Sequence, residues 1–297
     1  MGDESVKVIY IDKNTDLSAF KPEPCVMALG FFDGVHVGHR KIIETAKRLA
    51  KKKQLTLAVM TFFPHPSQVI PTSKKVNSYL SPLSIKQEIF AKLGVEKFYI
   101  VKFDEDFSKL SHREFVDRFL ISLCCRHAVA GFDFTYGYKG KGTMEQLEQD
   151  GKGIFEVTIV PEVKYQNKKI SSSMIRQLLL SGMVHDVPHY LGDYYSVLCT
   201  ITNSEEEDKE KMTFHARLEY DYMIPKIGEY VVQIEIGRNY YRGICNISAK
   251  TLHTNMLNGT IIGLNKINDK QSIKLAFIRR LSDEETSANN KKLKSVI

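Results

Sequence analysis

The chain has 297 residues, of which 43% are hydrophobic and 26% charged, and its formal net charge is +7. That length holds two ordinary domains with a core each, and that composition excludes a disordered or fibrous protein. No apolar run approaches the roughly 20 residues of a membrane-spanning helix, which argues against a helical membrane protein.

The N-terminus, MGDESVKVIYIDK, is acidic and then strand-like, without a basic and apolar secretory pattern. It begins Met-Gly but lacks the Ser or Thr that a myristoylation signal places four residues after the glycine. Cys25, Cys124, Cys125, Cys199 and Cys245 are odd in number and show no CxxC spacing. Buried reduced thiols are therefore expected rather than disulfides or a zinc site, and the compartment expected is the cytoplasm. The positive charge fits a nucleic-acid partner and a polyphosphate pocket equally well, so it decides little.

In chain order, Cys25–Leu29 is a short apolar run ending at Gly30, as in a buried parallel strand. Residues 41–53 repeat apolar side chains at Ile42, Ile43, Ala46, Leu49 and Ala50, a helix with a basic outer face. Strand composition returns over 55–62. Ser81 and Pro82 open a helix over 82–93, which Gly94 stops. Strands over 98–103, 127–130 and 155–160 alternate with helices over 114–123, 144–149 and 173–180. Repeated βα units of this length predict a parallel, doubly wound, Rossmann-like α/β sheet with right-handed crossovers.

Past about Leu191 the pattern becomes short β-rich runs, over 195–202, 213–220, Gly228–Ile236, 240–247, 260–264 and 272–278. Pro225–Gly228 and Asn258-Gly259 read as turns between them, and EEEDKEK at 205–211 as a solvated loop. An antiparallel sandwich or barrel is expected. Residues 289–297 read as a frayed tail.

Three stretches of the first part carry chemistry. GFFDGVHVGHR, residues 30–40, follows a strand and opens a helix. Its glycines permit tight turns and close ligand approach, and a helix N-terminus offers free amides to an anion. His36 and His39, three apart, can face one phosphate, where imidazolium groups would donate hydrogen bonds and stabilise developing charge. ISSSMIR, residues 170–176, places hydroxyls and a guanidinium at a helix start. GFDFTYGYKGKG, residues 131–142, reads as a flexible aromatic loop suited to a planar ring.

These motifs, in the order GxFDGVHxGH, TFxPHP, GxDFxxG and SSSxIR, resemble the bifunctional FAD synthetases of bacteria. The resemblance covers essentially the whole chain and is specific in its first part. It implies a nucleotidyltransferase relative of the Rossmann fold over 1–187, followed by a riboflavin-kinase-like β-barrel over 188–297. The implied reaction moves AMP from ATP to FMN, giving FAD and pyrophosphate.

The resemblance further implies catalytic roles for His36, His39 and Arg176. ATP would be held by Gly30, Phe31, Phe32, Asp33, Gly38, Asp133, Ser172 and Ser173, and the flavin by Phe62, Pro64, Pro66, Phe134 and Tyr136. Mg2+ would come bridged through the ATP phosphates, with no direct protein ligand. Phe63 stands where the family often has an acidic residue, and His65 reads as structural.

Riboflavin kinases of the family carry a PTAN motif and a later catalytic glutamate. Here the corresponding stretch reads NSEEEDKEKMTFHARLEYDYMIP, and no Asp or Glu occurs between Arg242 and Asp269. An acidic loop repels ATP phosphates, and a missing glutamate leaves the acceptor hydroxyl without a base. The barrel is thus expected to lack kinase activity. Open alternatives are a bifunctional enzyme with a diverged kinase site, a flavin-binding regulator or RNA-interacting protein, and transfer to another acceptor such as phosphopantetheine. The expected partners are small molecules, with no nucleic acid and no membrane; the oligomeric state, a homo-oligomer included, is left open.

Overall fold

A computed structural model of the chain describes residues 6–71, 75–208, 211–264, 266–282 and 284–286. Two compact units emerge, Met1–Asn77 with Leu83–Ile170, and Ser78–Pro82 with Ser171–Ile297. The tail expected at 289–297 lies outside the described residues.

In the first unit, strands β1 (Lys7–Ile11), β2 (Cys25–Leu29), β3 (Thr56–Phe63), β4 (Lys97–Lys102), β5 (Cys125–Gly131) and β6 (Glu156–Val160) form one sheet. Their order is β1-β4-β3-β2-β5-β6, and every neighbouring pair is parallel. Side chains of a strand alternate between faces, so a sheet covered on both sides needs apolar residues throughout. On one face Val26, Ala28, Val59, Phe98 and Ile100 pack with Ile43 and Ala46 of helix α1 (Val37–Lys53). On the other, Met27, Leu29, Met60 and Val101 pack with Phe115, Phe119 and Leu147. The remaining helices here are α2 (Pro66–Val69), α3 (Leu83–Lys92), α4 (Glu105–Ser108), α5 (His112–Phe115) and α6 (Met144–Gly151), and a small hairpin pairs β7 (Lys164–Tyr165) with β8 (Lys168–Lys169).

Two helix expectations shift. α1 starts at Val37, four residues before the predicted start, because the His36 side chain caps it. The helix expected over 114–123 starts at His112 under a Ser111–Glu114 capping box and continues as a π-helix, Val116–Ile121.

In the second unit, helix α7 (Ser172–Ser181) and helix α8 (Val187–Leu191) precede strands β9 (Ser196–Asp208), β10 (Lys211–Leu218), β11 (Gly228–Ile236), β12 (Asn239–Ile247), β13 (Met256–Ile262) and β14 (Ser272–Arg280), with helix α9 (Ala249–Thr254) between β12 and β13. The strands close into a barrel in the order β10-β13-β12-β11-β14-β9, all antiparallel, with no free edge.

Two readings of this part are corrected. Over residues 205–208 the acidic run is strand and not loop, since Glu205 pairs with Thr213 and Glu206 with Met212 in the β9–β10 ladder, while residues 209–210 lie outside the described residues. The ladder satisfies the backbone while Glu205, Glu206 and Glu207 stay exposed, so charge density alone did not mean irregular chain. Asn258-Gly259 is likewise no turn but the middle of β13. A Cβ on Gly259 would stand 2.1 Å from the Ile244 carbonyl oxygen, so glycine is there for backbone approach.

Candidate functional site

The strand order of the first unit reverses direction at β2. The chain runs outward from β2 to β3 and β4, then crosses to β5 and β6 on the other side. Ligands of open α/β sheets sit outside the carboxyl ends of the strands at such a switch point. The segments that leave β2 and β5 there are residues 30–36 and 132–142.

The first segment is wound tightly. Phe32 (φ 53), Gly34 (φ 83) and Val35 (φ 41) all lie in the left-handed region. For phenylalanine and β-branched valine this is strained backbone, costing about 1–3 kcal/mol each, and such strain gathers at functional sites. Surrounding groups hold it in place. The Phe31 carbonyl accepts from Thr61 Oγ1 at 2.8 Å and from Lys86 Nζ at 2.7 Å. Arg40 Nε donates to the Val35 carbonyl at 3.2 Å. Gly30 leaves room for the Phe32 ring, whose atoms would come within 3.0 Å of a Cβ there.

His36 and His39 meet at the start of α1. Their rings stack with centroids 3.5 Å apart and 14° between planes. His36 Nδ1 accepts the His39 backbone N–H at 3.2 Å, so in neutral His36 the proton sits on Nε2. Gly38 permits this, since a Cβ there would stand 3.2 Å from His36 Cε1. The Phe32 ring meets His39 edge-on at 5.2 Å, and His39 Nδ1 is buried without a hydrogen-bond partner among the described residues.

Burial lowers the pKa of His36 to about 4 against the opposing charges of Asp33 and Asp133. His39 is held well below the ordinary histidine range by burial, then by His36 and Lys86. The expectation of imidazolium donors is thereby corrected: at neutral pH both rings are neutral, because low dielectric disfavours their charge, and they donate as neutral N–H groups.

Asp33 is buried and Asp133 exposed, the latter ion-paired with Lys169 of β8. The charges of Asp133 and Lys169 both reach His36. Phe62 lies in the core against Phe107 and Phe115, at 5.5 and 6.2 Å. Tyr136 packs on Phe115 at 5.0 Å and stacks with Phe134 at 6.0 Å. Phe62, Phe134 and Tyr136 thus belong to one aromatic cluster. Pro64 is half-buried and Pro66 opens α2, which His65 caps, the structural part expected of it.

The loop after β5, read as flexible, is pinned. Tyr136 and Gly142 exchange both backbone hydrogen bonds at 3.0 and 2.9 Å, and Tyr138 N–H donates to the Leu110 carbonyl. Ser172, Ser173 and Arg176 belong to the second unit. There Ser171 caps α7, and Arg176 Nη2 donates to the Ser78 carbonyl at 2.8 Å.

Sequence reasoning missed Thr61, Lys86 and Lys169. Lys86 had a signal, since it lies one turn before Phe90 and one turn after Leu83 on the apolar stripe of α3. A lone lysine on a buried stripe needs a partner. Lys169, one lysine among several in VKYQNKK, had none.

The strained glycine loop and the stacked histidines, of which His36 caps α1, thus stand together at the switch point of a doubly wound sheet. A sequence model of the FAD synthetase family matches residues 19–174. The chain is 42% identical over 247 residues to the bifunctional riboflavin kinase/FMN adenylyltransferase of Bacillus subtilis, across 82% of this chain and 78% of that one. It is 28% identical over 207 residues to the FAD synthetase of Listeria monocytogenes, across 69% and 79%. A crystal structure named a macrolide-efflux protein, from Streptococcus pneumoniae, superposes with a TM-score of 0.86 and 27% identity over 98% of both chains. Among the described residues no helix is long and apolar enough to cross a membrane. The chain belongs to the FAD synthetase family.

Proposed function

We propose that residues 1–187 transfer AMP from ATP to FMN, forming FAD and releasing pyrophosphate, and that the barrel over 188–297 has no riboflavin kinase activity. The observation that carries the first half is the stacked His36–His39 pair at the start of α1, set at the switch point of the sheet.

An FMN phosphate oxygen attacks the α-phosphorus of ATP, and the bond to the pyrophosphate oxygen breaks with its electron pair leaving on pyrophosphate. No protein nucleophile is needed, so the residues work by position and charge. His36 Nε2–H and His39 donate to phosphate oxygens as charge builds there, joined by free amides of the first turn of α1. Ser172, Ser173 and Arg176 would hold the triphosphate, and Phe62, Pro64, Pro66, Phe134 and Tyr136 would line the flavin.

Among the described residues no three or more His, Cys, Asp or Glu side chains gather to hold a metal. Magnesium would come bridged through the ATP phosphates, with no direct protein ligand, since it keeps several waters and needs few protein donors. When bound, magnesium neutralises phosphate charge. The partners are ATP and FMN, and five free cysteines fit the cytoplasm.

The barrel reading rests on the exposed acidic β9–β10 ladder and the stretch from Arg242 to Asp269 without a carboxylate. The relatives at 42% and 40% identity carry a bifunctional name, so an assay must decide. Purified protein with magnesium-ATP is given FMN or riboflavin and the flavins are separated by chromatography. FAD from FMN with no FMN from riboflavin is expected. FMN formed from riboflavin would sink the barrel reading, and no FAD from FMN the adenylyltransferase reading.

A further inference from the structure

Lys86 is 2% exposed, yet it carries an ammonium group. Its Nζ donates to the Phe31 carbonyl and sits 4.3 Å over the Phe31 ring. A cation taken out of water loses several kcal/mol of solvation, and an apolar side chain of the same length would stabilise the fold at least as well. The buried charge therefore calls for a reason other than stability, and its neighbours supply one.

Helix α3 grips the strained turn at two successive points. Lys86 holds Phe31, and one helical turn later Phe90 meets the Phe32 ring edge-on at 5.8 Å. Phe32 in turn abuts His39, which stacks on His36. The path from Lys86 to the histidine pair is thus continuous: ammonium, Phe31 carbonyl, left-handed Phe32, His39 ring, His36 ring. Two donors on one carbonyl resist its rotation, and that rotation is what the strained Phe32 conformation would use to relax. The ammonium also bears on His39 electrostatically, a like-charge effect that disfavours the imidazolium form. Asp33 is the acidic group whose charge acts on Lys86.

We propose that Lys86 is a positioning residue for adenylyl transfer, fixing the Phe31–Phe32 turn and thereby the stacked His36–His39 pair. This rests on the adenylyl-transfer reading above. Lys86 touches no reacting atom in this account; it acts through the loop.

The test compares wild type with Lys86→Met, which keeps length and apolar bulk, and Lys86→Gln, which keeps a donor for the Phe31 carbonyl. In FAD synthesis from FMN, kcat of Lys86→Met should fall about 30-fold or more while KM for ATP changes less than about threefold. Lys86→Gln should recover part of the loss. The imidazole NMR signals of His36 and His39, titrated in the absence of substrate, should move in Lys86→Met, with His39 titrating at higher pH once the like charge is gone. The other charged groups acting on the pair, Asp33, Asp133 and Lys169, stay in place.

A kcat within twofold of wild type, or unchanged imidazole signals, overturns the proposal. So does failure of both variants to fold, since Lys86 would then be structural. If wild type makes no FAD, the functional reading fails separately, and the imidazole signals still report on Lys86 and the loop.

Discussion

His36 divides its two ring nitrogens between structure and chemistry. Nδ1 caps α1 by accepting the His39 N–H, and Nε2 is left as the donor. Asparagine also caps helices well but carries no donor at the position of Nε2. His36→Asn should therefore change stability by only about 1 kcal/mol while lowering kcat by about 10²–10³, in line with loss of one preorganised donor. The same burial makes stability depend on pH. The folded pKa near 4 lies below the ordinary value of 6.5, so between them the unfolded chain binds the extra proton. The contribution is complete above pH 6.5 and is lost as pH falls toward 4, by up to about 3 kcal/mol. Urea midpoints at pH 7 and pH 4.5 should fall further apart for wild type than for His36→Asn; equal falls would contradict the burial argument. The pair itself was legible in HVGH, because spacing and the preceding strand need only local sequence. Its charge state was not, because the Phe32 ring that abuts His39 is itself packed by Phe90, on a helix more than forty residues away.

Elements were legible where one periodicity ruled. Cys25–Leu29 and Gly228–Ile236 have the bounds that their apolar patterns give. The reading failed where a residue type serves a partner that sequence does not display. Asn-Gly commonly makes hairpin turns, but Gly259 is required by the Ile244 carbonyl, and Gly243 by the Thr260 carbonyl oxygen 2.2 Å from its would-be Cβ. Gly259→Ala would force two paired strands of a closed barrel apart, so a loss of about 3 kcal/mol or more is expected. A urea midpoint unchanged within error would show that the barrel can yield there. The acidic run failed for a related reason: exposed glutamates on a ladder and glutamates in a loop are alike in composition.

Over the whole molecule, alternating helices and strands followed by six β-rich runs pointed to an α/β sheet and an antiparallel sandwich or barrel, since each class has its own repeat, and the choice of a barrel came from the family resemblance. Strand order was not legible. That β1 pairs with β4 at the edge, and that β2 and β5 flank the switch point, follow from long-range pairing. Yet this order brings the His36–His39 loop and the Asp133 loop to the one place where a parallel sheet opens. The central claim is that bond breaking occurs at the α-phosphorus of ATP, and isotopic label tests it most directly. With FMN and ATP labelled at the α-phosphate, label should enter FAD, and with ATP labelled at the γ-phosphate it should appear in pyrophosphate alone. Label from the γ-phosphate entering the flavin, or no α-label in it, would contradict the account.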